Sequence, residues 1–172
     1  GHIRHPIAPP FMGGMESHCH SLVQALRRAG HDVTLFAAGE SDLSGFVPVC
    51  EQPYEDVLPW ADWRGTKRLA QYQERAFTRA WLAVLAGDFD VVHNNSLFPK
   101  LIEWAQRDSA PMLTSQHVPP YAQMREVVHD AAGARAQQFS VTSRSQLALW
   151  QSCKGAVQAN MRVVHNGIDL AE

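Results

Sequence analysis

Apolar residues recur at Met15, Cys19, Leu22, Val23 and Leu26, steps of three and four that lay one apolar stripe along a helix from about Met15 to Ala29. Gly30 follows as a left-handed cap. Ile3 to Pro9 reads as a weak opening strand before that helix, and Val33-Thr34-Leu35-Phe36-Ala37 as a second strand after it. The alternation then recurs. Phe89-Asp90-Val91-Val92-His93 predicts a strand, Lys100 to Arg107 a helix and Pro111-Met112-Leu113-Thr114-Ser115-Gln116 a strand. Phe139-Ser140-Val141-Thr142-Ser143 predicts another strand, Ser145 to Gln151 a helix and Met161-Arg162-Val163-Val164-His165 a last strand. About six strands alternating with helices predict an α/β fold, a doubly wound parallel sheet of Rossmann-like type joined by right-handed crossovers.

The pattern breaks between Gly39 and Gly65, where Pro48, Pro53, Pro59 and several acidic residues read as an insertion on the ligand side of the sheet. A helix from about Thr66 to Leu85 follows. It carries Lys67, Arg68, Arg75 and Arg79 beside Tyr72, Phe77 and Trp81, with Trp60 and Trp63 just upstream. That mixture fits a lipid headgroup or an aromatic acceptor. It fits better an ordinary surface helix whose apolar side (Leu69, Tyr72, Ala76, Ala80, Val84) lies on the core while its charges stay solvated.

Ligands of such sheets bind beyond the carboxyl ends of the strands, so the residues just after each strand draw the eye. They are Gly13 and Gly14, then His93, Asn94, Asn95 and Ser96, then His117, then Ser143 and Arg144, and last Asn166. They are expected to converge on one rim. The two glycines open a helix, where free amides and the positive end of the dipole favour a phosphate or carboxylate and no side chain blocks approach. An ordinary tight turn accounts for a Gly-Gly pair equally well, because the spacing matches no standard phosphate-loop pattern.

With 172 residues and 45% hydrophobic content the chain suits one domain with a real core. A net charge of -2 offers no basic field for tracking a nucleic acid, so no nucleic-acid partner is expected. Cys19, Cys50 and Cys153 have no C-x-x-C spacing and read as free thiols of a cytoplasmic protein. His18-Cys19-His20 holds no metal on this reading, since Cys19 falls on the apolar face. Asn94-Asn95-Ser96 matches a glycosylation sequon that nothing else supports. Ser143 with His165 or His117 lacks the G-x-S-x-G elbow of a hydrolase.

Six strings, in order, resemble the amino-terminal half of family-4 retaining glycosyltransferases. They are Gly13-Gly14-Met15-Glu16, Ala29-Gly30-His31-Asp32-Val33-Thr34-Leu35, Phe89-Asp90-Val91-Val92-His93, Thr114-Ser115-Gln116-His117, Val141-Thr142-Ser143 and Val164-His165-Asn166-Gly167-Ile168-Asp169. The resemblance implies one half of a GT-B architecture, with residues 1–172 as the acceptor-side Rossmann-like domain and a carboxy-terminal nucleotide-sugar domain outside this chain. It implies that Gly13 and Gly14 approach the donor diphosphate and that His117 contacts the donor sugar as the catalytic residue. Glu16, His93, Asn95, Ser143 and Asn166 then fall at the acceptor cleft. Asn95 departs from the pattern, standing where many relatives carry a second histidine.

The same resemblance implies a nucleoside-diphosphate sugar as donor substrate rather than a resident cofactor. The acceptor is a glycan, lipid or small molecule, and the setting the cytoplasm, at the inner face of the membrane if the basic helix makes peripheral contact. The groups that grip the nucleotide belong to the other domain, so this chain alone is expected to bind weakly and turn over little. A non-catalytic sugar, nucleotide or phosphate module is the alternative from another class. Half of a sugar-nucleotide epimerase is a third reading.

Overall fold

A computed structural model describes residues 1–58, 62, 65–153 and 160–167. Pro59, Trp60, Trp63, Ile168 and Asp169, all drawn into the sequence reading, lie outside the described residues. The chain divides into two compact units, Gly1–Ala83 and Val84–Asn166.

In the first unit, α1 (Gly14–Arg28) is followed by the parallel pair β1 (Leu35–Ala38) and β2 (Phe46–Cys50), then α2 (Tyr54–Val57) and all but the last turn of α3 (Lys67–Ala86). The stripe on α1 buries Cys19 and Val23 against Ile7, Leu35 and Ala37, with Val33, Leu43 and Phe46 packed around them. Gly30 takes a φ of 90°, as the cap requires.

The opening segment is not a strand. Pro6, Pro9 and Pro10 remove the donors a ladder needs. Its backbone is satisfied elsewhere: Ile7 N–H donates to Ser41 Oγ at 2.9 Å, and the Ile3 and Ile7 carbonyls accept from Tyr54 and Asp42 N–H. Ile3 and Ile7 are nevertheless fully buried, which is the apolar signal the sequence carried.

The stretch from Gly39 to Gly65, read as an insertion, holds β2 and α2. β2 escaped notice because Pro48 interrupts it. Its partner in the pair shifts register between Ala37 and Ala38, just beyond the residue opposite Pro48. On α3, Ala76, Phe77, Ala80 and Trp81 are buried. Phe77 and Trp81 are thus core residues, and the charges of Lys67, Arg68, Arg75 and Arg79 are solvent-facing.

The second unit is a four-stranded parallel sheet in the order β3 (Val92–Asn94), β4 (Met112–Gln116), β5 (Gln137–Val141) and β6 (Met161–Val163). Its helices are α4 (Lys100–Arg107), α5 (Ala122–Asp130) and α6 (Arg144–Gln151). β3 begins later than expected, because Phe89 and Val91 lie outside the ladder and Val91 is 58% exposed. Helix α5 was absent from the sequence reading, although Met124, Val127, Val128 and Ala131 have helical spacing and are buried.

One core row is set by register: Asn94 pairs with Thr114, Thr114 with Phe139, and Phe139 with Met161. The apolar end of that row joins Ile102, Met124, Val128, Val141 and Trp150 in a single cluster. Asn160 fixes the entry to β6 by donating from Nδ2 to the carbonyls of Ala132, Ala134 and Gln137.

Phe139→Ala is therefore expected to destabilise the protein by about 3–5 kcal/mol. The exposed Leu82→Ala should cost little. Denaturant midpoints of the two variants check both values.

Candidate functional site

Four adjacent parallel strands bring their carboxyl ends to one edge of the second unit's sheet, so the segments after β3, β4, β5 and β6 are neighbours. Among the sequence-predicted residues, the structure joins Asn95 and His117. His117 Nε2 donates to Asn95 Oδ1 at 2.9 Å, and Asn95 is buried. Beside them Asn94 Oδ1 accepts from Ser96 N–H at 3.0 Å and from Ser96 Oγ–H at 2.8 Å, a local turn that holds the segment after β3. Asn94 is itself buried, which leaves no space for a glycan at the sequon.

Ser143 caps α6. Its Oγ accepts from Gln146 N–H at 3.1 Å and meets Ser145 Oγ at 2.9 Å. Gln146 reaches back, its Oε1 accepting from the N–H and hydroxyl of Thr142, while its Nε2 donates to the Val118 carbonyl at 2.9 Å. One glutamine thus ties the segment after β4 to the one after β5. Sequence reasoning passed over Gln146, though Ser143-Arg144-Ser145-Gln146 is a capping-box spacing that marks it. Tyr121 was also missed. Its hydroxyl donates to the Leu97 carbonyl at 2.6 Å, and burial pushes its pKa up to about 12, so it stays neutral. His165 Nδ1 donates to the Thr142 carbonyl at 3.0 Å, and Asn166 is exposed beyond it.

His93 lies within β3 rather than after it. Its Nε2 is 2.8 Å from Ser115 Oγ, which is 2.9 Å from Ser140 Oγ, so a polar chain crosses three strands. Each hydroxyl carries one hydrogen. If Ser140 donates to Ser115 and Ser115 to His93, both hydrogens are used and Nε2 is the acceptor. In the opposite sense the Ser140 hydrogen, on a residue 4% exposed, finds no other acceptor among the described residues. The first sense is favoured, and it places the neutral ring's proton on Nδ1.

In the first unit, Gly13 is the N-cap of α1 and no side chain caps the helix. A Cβ on Gly13 would stand 2.9 Å from Glu16 Oε2, so the glycine makes room for that carboxylate. A Cβ on Gly14 would meet nothing within 4 Å, and its backbone has no positive φ. The interior of the unit gives no reason for a glycine there.

Glu16 is 4% exposed and its Oε1 lies 3.6 Å from His2 Nδ1. Burial raises its pKa, but the neighbouring His2 imidazole, its own backbone amide and the charge of His5 outweigh burial and hold it below 4.5. Cys19 is buried in the core with its thiol pushed up by burial. Among the described residues, no group of three or more His, Cys, Asp or Glu is placed to hold a metal ion. Among them, too, no helix is long and apolar enough to cross a membrane.

The fold is thus that of an α/β protein with parallel sheets, Rossmann-like, whose polar groups gather at strand ends. The sequence profile described as Glycosyltransferase Family 4 matches residues 12–172, and the chain belongs to that family. A glycosyltransferase-type function follows at that level. No curated protein matches the chain.

Side-chain nitrogen NMR should find His93 as the Nδ1–H tautomer, and Ser115→Ala should shift it towards Nε2–H. A wild-type ring carrying its proton on Nε2 would refute the hydroxyl order. Because the folded pKa of Glu16 is depressed, its stabilisation is complete above 4.5 and is lost as pH falls through the folded value. The stability gap between the wild type and Glu16→Gln, followed by thermal unfolding from neutral pH into the acid range, should stay constant and then narrow below 4.5.

Proposed function

We propose that this chain is the acceptor-side domain of a retaining glycosyltransferase that moves a sugar from a nucleoside-diphosphate donor to an acceptor hydroxyl, working with a carboxy-terminal nucleotide-sugar domain in the cytoplasm. The observation that carries the reading is family membership across residues 12–172. Within that frame, Gly14 supports an approach by ligand, since nothing inside the unit needs a glycine at that position.

In this reading Gly13 and Gly14 present the start of α1 to the donor diphosphate. The C–O bond from sugar to diphosphate breaks, the acceptor oxygen takes the sugar, and its proton is released. Negative charge grows on the leaving group, and the uncapped amides and dipole of α1 stabilise it. Ionised Glu16 occupies the same first turn, but its carboxylate is buried towards His2, which leaves the solvent side of the turn to the ligand. His117 contacts the donor sugar, and Asn95 holds the ring by accepting from Nε2. His93, Ser143 and Asn166 belong to the acceptor side, where Ser143 and His93 act through the hydrogen bonds that fix them.

In the full two-domain enzyme, His117→Ala should lower transfer on the order of 10²-fold, while the loss of the partner of buried Asn95 costs only about 1–3 kcal/mol and leaves the protein folded. Gly14→Val should raise the KM for donor, whereas Gly14→Ala should fold at least as well as the wild type. Sugar-dependent release of nucleoside diphosphate is the readout. Wild-type turnover in His117→Ala would remove that residue from the site, and absence of release with every nucleotide sugar would favour a binding module.

A further inference from the structure

A cavity of ≈ 210 Å³ opens at the carboxyl end of β2. Cys50, Glu51 and Gln52 line it from the strand end, and Tyr72, Arg75 and Arg79 line it from α3. Arg75 and Arg79 are four apart, so they share a helix face, and like charges at that spacing repel. No carboxylate among the described residues pairs with either one. Glu51 is the only acid in the described lining.

Tyr72 is committed by its hydroxyl to the Gln52 carbonyl. The phenol therefore forms a neutral wall, its pKa pushed to about 12, first by burial and then by the neighbouring Cys50 thiol. Cys50 is buried and its thiol is pushed up, again by burial, so no thiolate competes for the guanidinium groups. Two unneutralised guanidiniums above a neutral floor form a site for an oxyanion, because the planar N–H fork of arginine matches phosphate oxygens in pairs.

We propose that this cleft binds the phosphate monoester of a small soluble ligand, held between Arg75 and Arg79. The charge favours a dianion over a single carboxylate, since two cations face one acid in the lining. The cleft volume equals that of about seven waters, which suits a phosphate and a few further heavy atoms. The inference concerns binding alone and stands whether or not the transferase reading does.

Calorimetric titration of the protein with inorganic phosphate and with glycerol 3-phosphate, at constant ionic strength, tests it. Saturable binding of both is expected, with glycerol 3-phosphate the tighter. Arg75→Gln/Arg79→Gln should bind roughly tenfold more weakly or worse. Lys67→Gln/Arg68→Gln, at the exposed start of the same helix, should bind as the wild type does. No saturable binding by the wild type, or equal affinity in the Arg75/Arg79 double variant, overturns the proposal. So does attachment to phosphatidylglycerol vesicles without binding of either soluble phosphate, which would assign the arginines to a lipid surface. All four positions are exposed on a helix and glutamine keeps helix propensity, so melting curves of both double variants should overlay that of the wild type.

Discussion

The second unit depends on parallel register. Once β3, β4, β5 and β6 pair in order and in the same direction, every strand delivers its following loop to the same edge. Asn95, His117, Thr142 and His165 come from four distant stretches of chain and become neighbours for that reason alone. The same register aligns Thr114 with Phe139 and Phe139 with Met161, so the row that ends in polar groups at β3 and β4 runs into apolar core at β5 and β6. A slip of β5 by one residue would turn Phe139 out of the core and move that strand's apolar set to the other face. The hydrophobic cluster beneath the sheet thereby holds the polar edge in place.

Polar groups in this unit are buried in quantity, and most of them are accounted for in pairs. Asn94 serves Ser96, Asn95 serves His117, and Gln146 serves Thr142, Ser143 and Val118. Such mutual commitment fixes side chains that would otherwise choose among rotamers, and losing one partner leaves the other desolvated. Gln116, next to His117, is one of three exceptions among the described residues: its Nε2, Gln137 Oε1 and Trp150 Nε1 are buried without a hydrogen-bond partner. The chain His93, Ser115, Ser140 obeys the same arithmetic, since a hydroxyl has one hydrogen to give and the buried end must give it inward.

The start of α1 shows two glycines with different physical duties. Gly13 yields space to a carboxylate of its own unit, whereas Gly14 yields space to nothing the unit contains. Glu16 explains the first: an acid in the first turn is favoured by the dipole, and His2 compensates its burial. The pair looks uniform as a motif and is not uniform as a structure.

Much of the fold was legible because apolar spacing is local. The stripe on α1 and the limits of α4 follow from residues three and four apart, and the family resemblance rested on short strings at strand ends. What escaped was signal spoiled by a competing residue or lacking a local cue. Pro48 hid β2, buried Ile3 and Ile7 imitated a strand in a segment whose prolines forbid one, and α5 passed unread beneath a mixture of charged residues. Candidate site residues were legible by type and position after strands, but their partners were not. That His117 would meet Asn95, that Glu16 would turn inward to His2, and that Arg75 and Arg79 would face a cleft at the end of β2 were decided by tertiary structure. Periodicity is written between neighbours in sequence, whereas a hydrogen bond or a cavity depends on which distant segments the packed core brings within a few ångströms.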